Sequence, residues 1–220
     1  MTGTLFYDIL LLMDIISNFI VFEGGDGSGT TTQLSLLSER FKSINKPLFI
    51  PTYEPTDGPI GKIIRSALKK ELTVNPKTLA YLFAADRNEH LYGPDGIIEK
   101  TKHPCLVASD RYVLSSLVYQ GIECGDELPN ILNSRFGIPE LTIFLDIDPQ
   151  IALARMNNRS SLEIYEYHEF QEKVREKYKK LIETYRSAGA RVEILDASKK
   201  AGDISEQVWS IVSTLPIFNT

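Results

Sequence analysis

This sequence of 220 residues has little cysteine, little histidine and no excess of basic residues, and each shortage excludes a class of protein. The two cysteines, Cys105 and Cys124, are too few for a disulfide framework and lack the spacing of metal ligands. The three histidines lie far apart in sequence and suggest no metal site. A net charge of −5 argues against nonspecific nucleic-acid binding through a basic surface.

Long hydrophobic runs are also absent. The apolar residues 9–13 are bracketed by Asp8 and Asp14, and no basic residue precedes them, so they fit neither a signal peptide nor a membrane span. We therefore expect a cytoplasmic protein with no membrane or nucleic-acid partner. Residues 1–17 are interpreted as an N-terminal extension, either poorly ordered or the result of a misassigned start, because Met13 offers a second start just before the first predicted strand.

A glycine-rich stretch lies between an apolar run and an amphipathic one. Residues 19–22 are all apolar β-formers, which predicts a strand buried on both faces. Glycines follow at positions 24, 25, 27 and 29, and an apolar stripe at helical spacing begins at Leu34. Strand, glycine loop and helix are the context of a phosphate-binding P-loop, where backbone N–H groups and a helix N-terminus face an anion.

The P-loop pattern G-x-x-x-x-G-K-[ST] is matched incompletely. Gly24, Gly29 and Thr31 fit it, but Thr30 stands where the pattern has lysine. That lysine normally neutralises the β- and γ-phosphates, so its absence bears on mechanism. A plain strand-to-helix turn is the alternative for a glycine cluster alone, and the flanking strand and helix favour the phosphate loop.

Short apolar runs alternate with helical patterns along the chain. Strands are predicted at residues 19–22, 48–50, 105–109, 141–145 and 192–195, with residues 51–55 as a loop because of their two prolines. This alternation predicts an α/β fold with a five-stranded parallel sheet and helices on both faces. Residues 18–220 are expected to form one domain, with a polar candidate lid at about residues 159–166.

The third predicted strand ends in an acid and leads into an unusual helix. Asp110 matches the second acidic motif of P-loop enzymes, which orders Mg²⁺ and its waters. In the helix predicted over residues 111–120, one face carries Tyr112, Ser115, Ser116, Tyr119 and Gln120. This polar face is either a solvated surface or the wall of a ligand site.

Five segments of the chain match one known family in order. They are Phe-Glu-Gly-Gly-Asp-Gly-Ser-Gly at 22–29, Glu-Pro-Thr-Asp-Gly-Pro-Ile-Gly at 54–61, Leu-Phe-Ala-Ala-Asp-Arg at 82–87, Asp-Arg-Tyr-Val-Leu-Ser-Ser-Leu-Val-Tyr-Gln-Gly at 110–121 and Phe-Leu-Asp-Ile-Asp-Pro at 144–149. In them the chain resembles the thymidylate kinases, a branch of the P-loop nucleoside monophosphate kinases. The resemblance implies a fold of that type with a short lid, and phosphoryl transfer from ATP to dTMP in dTTP synthesis. It also implies Mg²⁺ and a homodimer.

The resemblance further implies roles for particular residues. The ATP phosphates would lie on Gly24, Gly25, Asp26, Gly27, Ser28, Gly29, Thr30, Thr31 and Thr32, with Arg155 and Arg159 on the ATP side. Thr31 and Asp110 would hold Mg²⁺. The acceptor nucleotide would contact Asp26, Glu54, Arg65, Phe83, Arg87, Arg111, Ser115, Ser116, Tyr119 and Gln120. Asp26, Arg111 and Arg155 would be the catalytic residues.

Within that set, the implied contacts are chemically distinct. The Phe83 ring would stack on a pyrimidine while Arg87, one helical turn on, donates to a base carbonyl. Plain core packing is the alternative role for Phe83. Arg65 and Arg111 would clamp the 5′-phosphate, since the forked donors of arginine suit phosphate oxygens.

Several positions depart from the family pattern. Besides Thr30, the family usually has arginine where this chain has Tyr53, and an acid is common where it has Leu114. Relatives without a loop arginine usually carry lid arginines, whereas this chain has Leu162 and Ile164 there. Cations expected near the γ-phosphate are therefore missing. Two other functions stay open: an impaired nucleotide-binding relative with a regulatory role, or a kinase for another nucleotide such as dUMP.

Other groups are expected to replace the missing lysine charge. Arg111 follows the third strand, and Arg155 and Arg159 precede the lid, so all three are candidates to reach the phosphates. Backbone amides of the loop would supply the rest.

The extension is expected to be dispensable, since it matches no part of the family. A chain that begins at Met13 should keep the melting temperature and the kinase activity of the full chain, measured by thermal unfolding and by a coupled turnover assay. A drop of several degrees in melting temperature would show instead that the extension packs on the domain.

Overall fold

A computed structural model describes residues 14–44, 47–156 and 168–219. The expectations for residues 1–13, for Arg159 and for the lid at 159–166, with its Leu162 and Ile164, lie outside the described residues.

A parallel sheet of five strands forms the centre of the described structure, as predicted. The strands are β1 (Ile15–Gly24), β2 (Leu48–Tyr53), β3 (Cys105–Asp110), β4 (Ile138–Asp146) and β5 (Val192–Asp196). Their order is β2-β3-β1-β4-β5, and every neighbouring pair is parallel. In such a sheet the carboxyl ends of all strands meet at one edge, where ligands of open α/β sheets bind.

Helices connect the strands and cover both faces of the sheet. They are α1 (Thr30–Phe41), α2 (Pro59–Leu68), α3 (Pro76–Tyr92), α4 (Ile97–Lys100), α5 (Val113–Cys124), α6 (Glu127–Asn133), α7 (Pro149–Met156), α8 (His168–Ser187) and α9 (Ala201–Val212), followed by a 3₁₀ turn at Pro216–Asn219. The short α4 and α6 and the 3₁₀ turn were not predicted. A side-chain cap begins α3, because the Asn75 side chain accepts a hydrogen bond from the Lys77 amide and Pro76 takes the first helical position.

Two hydrophobic cores flank the sheet because successive strand residues point to opposite faces. Phe19 and Val21 belong to the core beneath α2, α3, α5 and α8, whereas Ile20 and Phe22 belong to the core beneath α1 and α9. All four side chains are at most 1% exposed, which confirms a strand buried on both faces.

Three predicted strand boundaries are wrong by three residues or more. β4 begins at Ile138 rather than at residue 141. β1 begins at Ile15 rather than at residue 19, so its first residues were placed in the extension; the chain pairs there with the start of β4 through Ile15 and Ile138. β2 continues through Pro51 to Tyr53, where a loop was predicted.

Proline is tolerated in β2 because this is an edge strand. The amides of Leu48 and Glu54 donate to the carbonyls of Pro104 and Asp110, on the β3 side. By the alternation of a strand, position 51 therefore turns its nitrogen away from the sheet, and no ladder hydrogen bond is lost.

Within residues 14–44, 47–156 and 168–219, no helix is long and apolar enough to cross a membrane.

Candidate active site

A cavity of about 390 Å³ opens at the carboxyl ends of β1, β2 and β3. Its volume falls in the range of small-molecule sites. Twelve of its lining residues were predicted from sequence: Asp26, Thr31, Glu54, Arg65, Phe83, Arg87, Asp110, Arg111, Ser115, Ser116, Tyr119 and Gln120. Segments far apart in sequence therefore converge on one cavity, as the prediction required.

The glycine loop links the end of β1 to the start of α1. Gly27 and Gly29 have φ values of 77° and 93°, a region in which glycine is the least strained residue. Gly29 directly precedes α1, so the loop amides and the first turn of α1 lie together at the helix N-terminus. Thr30 is buried and carries no charge, and Thr32 is exposed.

Thr31 and Asp110 form the candidate metal position. The Thr31 hydroxyl donates to Asp110 Oδ2 over 2.5 Å. The second carboxylate oxygen, Asp110 Oδ1, is buried without a hydrogen-bond partner among the described residues. A hydroxyl and a free carboxylate oxygen at the cavity suit a hard cation such as Mg²⁺, so these two residues fit the predicted ion.

Arg111 connects the glycine loop to the cavity. Its guanidinium donates to the Gly24 carbonyl over 3.2 Å and to Asp26 Oδ1 over 2.5 Å. Asp26 also accepts from the Tyr119 hydroxyl and from the Gln171 side chain, at 3.1 and 2.9 Å. Burial alone would lower the pKa of Arg111. Its neighbours, first Tyr119 and then the Asp26 carboxylate, raise this pKa by more than burial lowers it, so the pKa lies above its ordinary value. Arg111 is therefore charged in the site.

Arg87 is held in a buried network. Its Nε donates to Glu54 over 2.9 Å, and Nη2 donates to the Tyr112 carbonyl and to Ser116 Oγ. Nη1 donates to Asn133. Four of its five N–H donors are thus used, and one Nη1 hydrogen has no acceptor among the described residues. Arg87 can offer a ligand at most this one further bond.

Glu54 is paired with Arg87. One of its oxygens lies 2.7 Å from Arg87 Nη2 and the other 3.1 Å from His90 Nδ1, and the carboxylate is almost fully buried. Glu54 also lines the cavity, so its predicted substrate contact stays a prediction, and the described contact of the carboxylate is with Arg87.

The polar face of α5 is a cavity wall and not a solvated surface. Ser115, Ser116, Tyr119 and Gln120 are all buried and line the cavity. Gln120 Oε1 is buried without a hydrogen-bond partner in the described part of the chain. Phe83 is half-buried, packs against the core and also lines the cavity. Its stacking on a pyrimidine base stays a prediction.

Arg65 lies at the more exposed end of the cavity. Its guanidinium donates to Asp57 over 2.7 Å and stands 5.5 Å from the centre of the Tyr53 ring. The Tyr53 hydroxyl donates to the same Asp57 carboxylate. Tyr53, at the position where relatives have arginine, therefore contacts the neighbouring arginine instead of adding a charge.

Arg155 does not line this cavity. Its guanidinium donates to the carbonyls of Ala197, Ser198 and Lys199, in the loop after β5. The predicted catalytic role of Arg155 thus has no geometric support at the cavity. A contact with ATP remains a prediction.

Three residues that sequence reasoning missed hold the predicted ones in place. Glu23 accepts hydrogen bonds from Tyr112, Ser115 and Tyr178, and Gln171 binds Asp26 through both its amide atoms. Asn133 binds Arg87. An acid at the end of an apolar strand was a visible signal for Glu23, whereas Gln171 and Asn133 carry no local signal.

Comparisons with known proteins point in one direction. The sequence model of the family described as Thymidylate kinase matches residues 22–208. A protein of Treponema pallidum is 39% identical over 199 residues, covering 89% of this chain and 95% of its own length. A protein of Pyrobaculum aerophilum is 38% identical over 201 residues, covering 91% and 98%. One of Methanococcus maripaludis is 44% identical over 168 residues, covering 76% and 78%. The names of these three proteins all include the words thymidylate kinase.

The Glu54–Arg87 pair yields a prediction about stability. Glu54→Gln removes one charge of a pair whose side chains are only 2% and 1% exposed, and should lower the free energy of unfolding by about 3–5 kcal/mol. Glu99→Gln is the matched control, because its pair with Lys102 is exposed to solvent and should leave the free energy of unfolding almost unchanged. Urea unfolding measures both. Equal effects of the two substitutions would contradict the claim that the buried Glu54–Arg87 pair stabilises the fold.

Proposed function

The chain belongs to the thymidylate kinase family, and from this we propose that its cavity is where ATP transfers a phosphoryl group to dTMP. The homologues favour this reaction over an impaired nucleotide-binding relative or a kinase for another nucleotide. The observation that carries the proposal is the meeting of the glycine loop, Asp110 and three arginines at one cavity.

On the donor side, the glycine loop would hold the ATP phosphates. The residues concerned are Gly24, Gly25, Asp26, Gly27, Ser28, Gly29, Thr30, Thr31 and Thr32. Backbone amides and the α1 N-terminus favour an anion at this place. Thr31 and Asp110 would hold Mg²⁺, which when bound neutralises phosphate charge.

On the acceptor side, the α3 and α5 walls would bind the nucleotide base. Phe83 offers a ring face for stacking, and the unpartnered Gln120 Oε1 accepts a hydrogen bond. Thymine and uracil carry an N–H at ring position 3, whereas cytosine has an acceptor there. Ser116 and the remaining donor of Arg87 would complete the contacts to the base edge.

At the phosphates, Arg65 and Arg111 would supply the cations. Arg111 contacts Gly24 and Asp26 of the glycine loop and also lines the cavity, so its guanidinium would lie where the donor and acceptor phosphates meet. Positive charge fixed at that position stabilises the charge that develops on the transferring group. Asp26 would orient Arg111 and face the sugar of the acceptor.

Two further proposals concern the assembly and the location of the protein. Thymidylate kinases are usually homodimers, and we propose the same for this chain. We propose a cytoplasmic location for it as well.

Acceptor preference tests the proposed function directly. With ATP as donor, kcat/KM should be highest for dTMP and about tenfold lower for dUMP, which lacks one methyl group. It should be lower still for dCMP, whose ring nitrogen cannot donate to Gln120, and for dGMP, whose base is larger. The coupled assay is run against a blank without enzyme. A preference for dCMP or dGMP would contradict the assignment of dTMP as the acceptor.

The missing lysine yields a second prediction. Thr30→Ala should lower kcat by about tenfold or less, about 1.4 kcal/mol, and Thr30→Lys should be neutral or modestly activating. Arg111→Ala should lower kcat on the order of 10³. Arg191→Ala is the matched control, since the same truncation lies outside the cavity and outside every predicted site and should affect kcat far less.

These four variants are compared by kcat at saturating ATP and dTMP. Loss of turnover in Thr30→Ala with an active Arg111→Ala variant would contradict the replacement of the lysine by Arg111.

A further inference from the structure

Arg111 sits on a strained piece of backbone. It is the link between β3 and α5, and its φ is 73°, in the left-handed region that residues other than glycine rarely adopt. Such a conformation is unfavourable for a residue with a side chain and persists only where the surrounding structure holds it. The position of the guanidinium therefore depends on whatever fixes this link.

The first turn of α5 lacks a capping side chain of its own. Tyr112 occupies the N-cap position, where its side chain makes no capping hydrogen bond. The amides at the start of a helix have no partner within the helix. Here the Glu23 carboxylate, at the end of β1, supplies the missing hydrogen-bond acceptor. Its Oε1 accepts from the Tyr112 amide over 3.0 Å and from the Ser115 amide over 3.2 Å.

The second oxygen of Glu23 reaches α8. Glu23 Oε2 accepts from the Ser115 hydroxyl over 2.6 Å and from the Tyr178 hydroxyl over 2.9 Å. The carboxylate is only 1% exposed. Four donors from two helical segments thus converge on one buried group beside the glycine loop.

We propose that Glu23 is a positioning residue for phosphoryl transfer, which fixes the strained Arg111–Tyr112 link and thereby holds the Arg111 guanidinium against the glycine loop. The inference rests on the proposed function, in which Arg111 acts on the phosphates. Glu23 does not itself line the cavity; it contacts Tyr112 and Ser115, which do, and its proposed effect on the reaction passes through the Arg111–Tyr112 link.

A double-mutant cycle tests this role. Glu23→Ala should lower kcat on the order of 10², the cost of a small displacement of a catalytic group. The double variant Glu23→Ala with Arg111→Ala should lose no more than Arg111→Ala alone, because both changes remove the same guanidinium position. Additive losses, or a folded Glu23→Ala enzyme with the kcat of the wild type, would overturn the proposal.

Two further variants separate positioning from stability. Glu23→Gln keeps an oxygen for both amides and should retain kcat within about threefold. Tyr178→Phe removes only the α8 contact and should have a similarly small effect. If Glu23→Ala does not fold, Glu23→Asp replaces it, since its carboxylate is one methylene shorter and should lower kcat and loosen the amides together.

Hydrogen exchange at Tyr112 and Ser115 gives a readout independent of activity. Both amides should exchange faster in Glu23→Asp than in the wild type, Glu23→Gln or Tyr178→Phe. Faster exchange with the kcat of the wild type would contradict the positioning role. An enzyme without activity on dTMP would remove the proposed function, while the exchange data would still show whether Glu23 holds the link.

Discussion

Each arginine of the cavity is paired with a carboxylate, and the rest of the site depends on this pairing. The pairs differ in burial: Arg87–Glu54 is at most 2% exposed, Arg111–Asp26 about a fifth, and in Arg65–Asp57 the acid is 75% exposed. A buried pair is costly to break, whereas an exposed one contributes little. Arg87 is thus a fixed part of the wall, while Arg65 can exchange Asp57 for a ligand oxygen at small cost.

The same pairing shows how an acidic chain can build a phosphate site without the loop lysine. Backbone amides carry no net charge, so the cation has to come from a side chain near the loop. In the proposed function Arg111 meets this need: its backbone has an unfavourable φ, Asp26 holds its guanidinium, and Glu23 holds the amide of the next residue, Tyr112. The charge at the loop is therefore produced by three segments together rather than by one residue of the loop.

The sequence predicts the sheet and most of the cavity because these follow from local patterns. Apolar runs locate the strands, and parallel strands bring their carboxyl ends together, which places Thr31 near Asp110. Boundaries fail where tertiary context decides, as at Pro51, which is acceptable only on an edge. Whether the polar face of α5 is solvated or buried depends on which segments pack over it, so the sequence pattern allowed both interpretations.

The contacts that support the site could not be predicted in this way. Glu23 meets Ser115 and Tyr178 across 92 and 155 positions of sequence, and Gln171 meets Asp26 across 145. No periodicity relates residues so far apart. The pairing of Glu54 with Arg87 also joins separate segments, so the sequence did not predict it.

Pro51 on β2 also limits how the molecule can associate. An exposed strand edge normally presents a row of amides and carbonyls on which a strand of another chain can continue the sheet. At the middle of β2 the outward position carries a pyrrolidine ring and no hydrogen to donate. Growth of the sheet across this edge, whether into an ordered dimer or into an aggregate, is therefore blocked at its centre.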